Sequence, residues 1–235
     1  MLHHAEVRNY LLQGLSGPDF QLLQPHLRLI STKLRQTLIQ PHQPITQLFF
    51  PEVGYVSVTA GANSKGIEVG MIGREGLVGA SPVLLESDIT PFHEFVQCPG
   101  EVLAIDTTGF RAAIEHSSTL KRLTLRYLQT RLLQAQQTAY ANTIHNVRVR
   151  LALWLLMCHD RLDSDEIPIT HEALSLALGV RRAGITTAIQ VLEGNCLIKA
   201  QRGRLTIQNR QGLIALADGR YGIAEAEYTR LMRDS

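Results

Sequence analysis

With 235 residues, 45% of them hydrophobic and 19% charged, the chain has the composition of a folded protein of one or two domains, which excludes a disordered, collagen-like or disulfide-stapled polypeptide. The 23 basic and 21 acidic residues leave a net charge of +2, so whole-chain charge says nothing about a polyanionic partner. The longest apolar run, Leu151 to Cys158, is too short for a bilayer span, and the opening MLHHAEVRNY has no signal-peptide pattern. Cys98, Cys158 and Cys196 are odd in number and lack CxxC spacing. Together these point to a cytoplasmic protein with no membrane partner and no cysteine-ligated metal.

The stretch from about 27 to 106 is broken by Gly and Pro, from Pro41 and Pro44 to Pro99 and Gly100. Between the breaks lie short β-branched or aromatic runs: 48–50, 55–58, 67–69, 95–97 and 102–105. Short strands between regular turn signals predict a β-roll, barrel or sandwich. From Thr119 to Asn142 there is neither Gly nor Pro, and Leu125, Leu128, Leu132, Ala135 and Ala139 recur at 3–4 spacing, which predicts one long helix. Spacing alone leaves two roles open: a helix packed on its own barrel, or a helix paired with a second copy. A second helical pattern through Leu151, Trp154 and Leu155 ends in a polar loop at 160–166.

Positive charge collects in the second half. No Asp or Glu lies between His116 and His159, and from Thr170 to Arg210 six basic residues face only Glu172 and Glu193. In that stretch Thr170 is a helix cap, Ala173, Leu174, Ala177 and Leu178 give an apolar face, and Gly179 supplies a left-handed stop. A second helix follows at once, with Ile185, Ile189 and Leu192 spaced to pack inward and Arg181, Arg182, Thr186, Thr187 and Gln190 on or near the opposite face. Two short helices joined by a glycine turn, the second polar and basic at its start, form a helix-turn-helix that enters the major groove of double-stranded DNA. The runs 196–200 and 205–207 around Arg202, Gly203 and Arg204 read as the hairpin of a winged helix, its arginines placed to touch phosphates.

The strings 169–182 (ITHEALSLALGVRR), 192–198 (LEGNCLI) and 202–207 (RGRLTI) resemble the winged helix of the Crp/Fnr family of bacterial transcription regulators. Upstream, 9–12 (NYLL), 48–54 (LFFPEVG) and 68–79 (EVGMIGREGLVG) are similar to that family's sensor barrel, and 148–156 (RVRLALWLL) to the helix entering its DNA-binding domain. The resemblance implies an α+β fold. Residues 1–118 form a cyclic-nucleotide-binding-like β-roll, 119–145 a long dimerisation helix and hinge, and 146–235 a winged helix-turn-helix. It implies a homodimer on a near-palindromic promoter site, with Leu125, Leu128, Leu132, Ala135 and Ala139 at the dimer seam. Arg182 matches the family's guanine-reading arginine, with Arg181, Thr186, Thr187 and Gln190 as further base-reading candidates and Thr170, Arg202 and Arg204 as phosphate candidates. Ala183 stands where many members carry a glutamate, so the family's usual half-site does not carry over. RNA polymerase is an implied partner if the protein activates.

For the sensor, Gly73, Arg74, Glu75 and Gly76 offer a match to the glycine and glutamate that hold a cyclic nucleotide's ribose, with His93 nearby. The family's phosphate-binding arginine pair is absent, and no Lys or Arg lies between Leu77 and Phe110. A buried phosphate without a cation is costly, which argues against a cyclic nucleotide. The family's oxygen sensors carry an N-terminal cysteine cluster, and this chain has no cysteine before 98, so the resemblance implies no iron–sulfur cluster. Haem stays open, because His42, His93 and Cys98 fall in the barrel; no cofactor is otherwise expected. His171-Glu172 is not followed by a second histidine at zincin spacing, and no nucleophile-elbow or Walker motif appears, so an enzyme is not expected. The competing reading is a ligand- or haem-sensing module of the same fold whose winged helix contacts protein.

Overall fold

In the computed structural model, which describes residues 2–61, 66–217 and 219–233, the chain begins with two short helices, α1 (Tyr10–Gln13) and α2 (Gly17–Leu23). Side-chain caps start both: Asn9 accepts from the backbone N–H of Leu11 and Leu12, and Ser16 from that of Asp19. The barrel follows as β1 (Arg28–Ser31), β2 (Thr37–Ile39), β3 (Gln47–Pro51), β4 (Tyr55–Ala60), β5 (Ile67–Ile72), α3 (Ala80–Leu84), β6 (His93–Cys98) and β7 (Glu101–Asp106). These strands form two antiparallel sheets, ordered β1-β7-β3 and β2-β6-β4-β5. Leu48, Phe50, Val56, Val58, Ile72, Leu103 and Ile105 fill a common core between the sheets. The turn from β3 to β4 requires Gly54, which has φ of 82°; a Cβ there would lie 2.3 Å from the carbonyl oxygen of Cys98.

After α4 (Thr107–His116), Ser117 caps α5 (Ser118–Ile144), a helix of 27 residues. One face of α5 buries Leu120, Leu123, Thr124, Tyr127 and Thr130 against the barrel, where the Tyr127 hydroxyl donates to the Leu77 carbonyl at 3.2 Å. A different face is bare. Leu125 is 45% and Leu132 60% exposed; Ala135 and Ala139 are exposed beside them and Leu128 is half-buried. Only His145 and Asn146 separate α5 from α6 (Val147–His159); Asn146 is itself the cap of α6.

The C-terminal unit contains β8 (Glu166–Pro168), α7 (His171–Leu178), α8 (Arg182–Gly194), β9 (Ile198–Gln201), β10 (Arg204–Ile207) and α9 (Arg210–Leu216), its three strands in the order β8-β10-β9. It is not a separate bead. Tyr55, Met71 and Cys98 of the barrel belong to the same core as Trp154, Leu155 and Leu174. That explains why β4 and β6 are buried nearly throughout: their second face is covered as well. Polar links cross the joint. The Trp154 indole donates to Glu68 at 2.7 Å, Arg161 donates to Glu75 at 2.6 and 3.0 Å, and Asp163 pairs with Arg74 at 2.8 Å and Arg8 at 2.5 Å.

The last helix, α10 (Ile223–Arg233), falls by sequence within the 146–235 unit but lies along α5 instead. Tyr228 and Met232 pack against the barrel core, and the Tyr228 hydroxyl donates to the Glu75 carbonyl at 2.9 Å. Its approach is tied to the winged helix by Asp160, which accepts from Tyr221 at 2.5 Å and from Arg210 at 2.6 Å.

Candidate nucleic-acid interface

The helix-turn-helix is built by local chemistry. Thr170 caps α7 by accepting from the backbone N–H of Ala173 at 3.1 Å, which leaves its hydroxyl hydrogen to donate outward. Gly179 ends α7 at φ 61°, and a Cβ there would sit 3.3 Å from Ile67 of β5. Both the left-handed backbone and the close approach favour glycine. Gly179→Ala is therefore expected to lower stability by about 1 kcal/mol, read as a lower urea midpoint at constant slope; an unchanged midpoint would show that neither constraint holds.

α8 starts directly after Arg181. Ile185, Ala188, Ile189 and Leu192 are buried at 2% exposure or less. Arg181, Arg182, Ala183, Thr187 and Gln190 are exposed, the guanidinium groups standing at the helix start where a groove-inserted helix meets base edges. Thr186 departs from this set. It is half-buried, its hydroxyl donates to the Arg182 carbonyl at 3.1 Å, and it lies 3.3 Å from the His171 ring, so it braces the crossing of α7 and α8. Thr187 also donates to the backbone, at the Ala183 carbonyl, which leaves its lone pairs and methyl group facing out.

The wing turns at Gly203, with φ of 78°. Arg202 is exposed at its tip, while Arg204 donates to Gln201 at 2.5 Å and lies 3.5 Å from Glu166 on the neighbouring strand. An exposed ion pair of this length is worth about 0–1 kcal/mol, little enough for Arg204 to exchange Glu166 for a phosphate. Sequence reasoning missed both His171 and Glu166 in these roles; each partner is distant in sequence, and no local pattern announces it.

The residues expected to line an effector pocket do not converge. Arg161 fills the face of Gly73, 2.5 Å from where a Cβ would stand, and the Tyr127 hydroxyl does the same at Gly76, at 2.6 Å. Arg74 and Glu75 are spent on Asp163 and Arg161, ion pairs that join barrel and winged helix. His93 sits elsewhere, on β6 against Thr37 at 2.9 Å. The haem candidates are likewise scattered: His42 is exposed in a left-handed turn, His93 is on β6, and Cys98 is buried in the core shared with the winged helix. The missed residue is Glu68, fully buried between Ser57 and Trp154, its pKa pushed up to about 7 by burial against those hydrogen bonds. A carboxylate in mid-strand was the signal that it needed buried partners.

Comparison with known proteins accords with this architecture. Residues 149–216 match the Crp-like helix-turn-helix domain. Among solved structures, a CRP-family transcriptional regulator from Thermus thermophilus superposes with a TM-score of 0.67 at 15% identity, covering 80% of this chain and 96% of that one. FixK2 from Bradyrhizobium japonicum gives 0.69 at 13% identity, covering 81% and 96%. The c-di-GMP-responsive global regulator CLP of Xanthomonas campestris gives 0.65 at 17%, covering 82% and 99%. At these identities the likeness is one of fold. No curated protein sequence gives a significant match. Fold and domain match together show a Crp-like helix-turn-helix domain over 149–216 within a chain whose overall fold is that of these Crp/Fnr-type structures.

Proposed function

We propose that the protein binds a near-palindromic promoter site as a homodimer, reading bases with α8 and gripping phosphates with Thr170, the wing and the helix start. The observation that carries this reading is the exposed face of α8. Arg181, Arg182, Thr187 and Gln190 are exposed there over a fully packed inner face, and Arg202 is exposed on the wing. The bare stripe on α5, an apolar seam at heptad spacing, supports pairing with a second copy. RNA polymerase is a further partner if the bound protein activates.

The barrel is read as one that takes no cyclic nucleotide. The barrel interior at Glu94 supports this: that carboxylate is buried, accepts from the backbone N–H of Gly79 at 3.0 Å, and is pushed toward its neutral form by burial. The cation that acts on this carboxyl is Arg131, which already donates to the Met71 carbonyl and to Gln134, so a phosphate there would meet little uncommitted positive charge.

Selection from a random DNA pool with purified protein at moderate salt tests the reading, with a spaced inverted repeat as the expected outcome. On the selected site Arg182→Ala is expected to cost about 1–3 kcal/mol and to relax preference at one base pair, measured by fluorescence anisotropy. Equal weakening on random DNA would remove the base-reading role. An unenriched pool, with no salt-dependent binding, would favour a winged helix that contacts protein.

A further inference from the structure

Barrel, α5, winged helix and α10 meet around one cavity of about 90 Å³, room for several waters or one small organic molecule. Leu153, Trp154 and Met157 of α6 and Leu178 of α7 give it an apolar wall. Glu68 of β5, Arg150 of α6, Arg220 before α10 and Glu225 of α10 bring charge to it; Arg220 is exposed and stacks over the Tyr140 ring. None of the residues first expected to hold an effector lines it.

Arg150 is the unsatisfied member. Its Nη2 donates to the Leu178 carbonyl, but its Nε is buried with no partner, and among the described residues it belongs to no ion pair. A buried N–H without an acceptor is unfavourable, and a guanidinium edge presents paired donors that match a planar carboxylate. The other charged groups narrow the choice. Both oxygens of Glu68 are already taken, by Ser57 and Trp154. Glu225 accepts from the Gly222 backbone at 3.0 Å, and burial raises its pKa toward the neutral form. A monoanion with an apolar body meets the Arg150 guanidinium at one end and the indole at the other, whereas inorganic phosphate has no apolar body to set against that wall.

We propose that this cavity binds a small organic carboxylate, its charged end on Arg150 and its apolar body against Trp154 and Met157, and that occupancy sets the pose of the winged helix. The second half rests on the DNA-binding reading; the first half does not.

Trp154 is the single tryptophan of the chain, so its fluorescence reports on the cavity directly. Benzoate and phenylacetate, titrated to about 10 mM into full-length protein without DNA, are expected to change that emission saturably, while benzamide and inorganic phosphate do not. Arg150→Gln should weaken the response at least about tenfold, one power of ten in the dissociation constant. Ala224→Leu, which fills the cavity from α10 and leaves Arg150 in place, should abolish it. Thermal melts show whether each variant is folded, and either one suffices. No saturable response to either carboxylate, an equal response to benzamide, or an unaltered response in a folded variant would overturn the proposal. Anisotropy on the selected DNA site is measured separately. DNA binding without a carboxylate response removes this cavity reading alone, and a carboxylate response without DNA binding removes the DNA reading alone.

Discussion

Leu132→Glu is expected to yield a folded monomer whose affinity for the full DNA site is at least about 100-fold weaker, because two linked half-site contacts become independent ones. Leu132 is 60% exposed in the single chain, so the substitution leaves the barrel core intact. It stands at the middle of the stripe made by Leu125, Leu128, Leu132, Ala135 and Ala139, where pairing with a second copy would bury an unpaired carboxylate. Sedimentation with the variant and the parent at matched concentration reads the outcome. A persisting dimer would move the interface away from α5. Leu120→Glu is the contrast: Leu120 is 2% exposed on the barrel side, and its replacement should unfold the protein instead of dissociating it.

Stability should fall as pH rises from about 4.5 to about 7, by roughly 3 kcal/mol, through Glu68. In the folded chain its carboxyl titrates at about 7, against 4.5 as its ordinary value. Between these limits the native state holds a proton that the unfolded chain has released, so each rise in pH favours unfolding. Glu94, Glu52 and Glu225, all raised by burial, act in the same direction. Asp19 and Asp163 are lowered and titrate beneath this window. Urea midpoints across the range, compared between the parent and Glu68→Gln, isolate the one residue. The variant should lose most of the slope, and an identical slope would assign it to the other carboxyl groups. Because Glu68 and Trp154 join β5 to α6, the destabilised species at higher pH should lose the contact between barrel and winged helix first, visible as a change in Trp154 emission.

The sequence was most legible where local chemistry dictates local form. Thr170, Gly179 and the spacing of Ile185, Ile189 and Leu192 define the helix-turn-helix without reference to anything distant, and the β-branched runs of β3 to β7 stand out in the same way. β1 and β2, at four and three residues, are too short to show a period. α4 is disguised by Gly109, whose bare Cα lets His26 approach to 2.9 Å of where a Cβ would be. What the sequence concealed was the joint between domains. Nothing local in 73–76 announces that Arg161 and Asp163, nearly ninety residues on, pair with Glu75 and Arg74. α10 went unread for a related reason: its apolar positions Tyr228, Leu231 and Met232 are few, and the surfaces they cover belong to the barrel and α5.

Besides the packed joint at Tyr55, Met71 and Trp154, the chain itself ties the winged helix to the rest of the molecule at two places. On one side, His145 and Asn146 allow about 7 Å of reach from the end of α5. On the other, α10 returns along the same α5 and holds the barrel through Tyr228. A body tethered at both of its ends keeps its distance from its support even where the packed joint loosens. If two copies pair through α5 as proposed, a signal at the barrel would reach DNA as a change of angle between two recognition helices at nearly fixed separation, so half-site spacing would stay constant while the fit to the groove is switched.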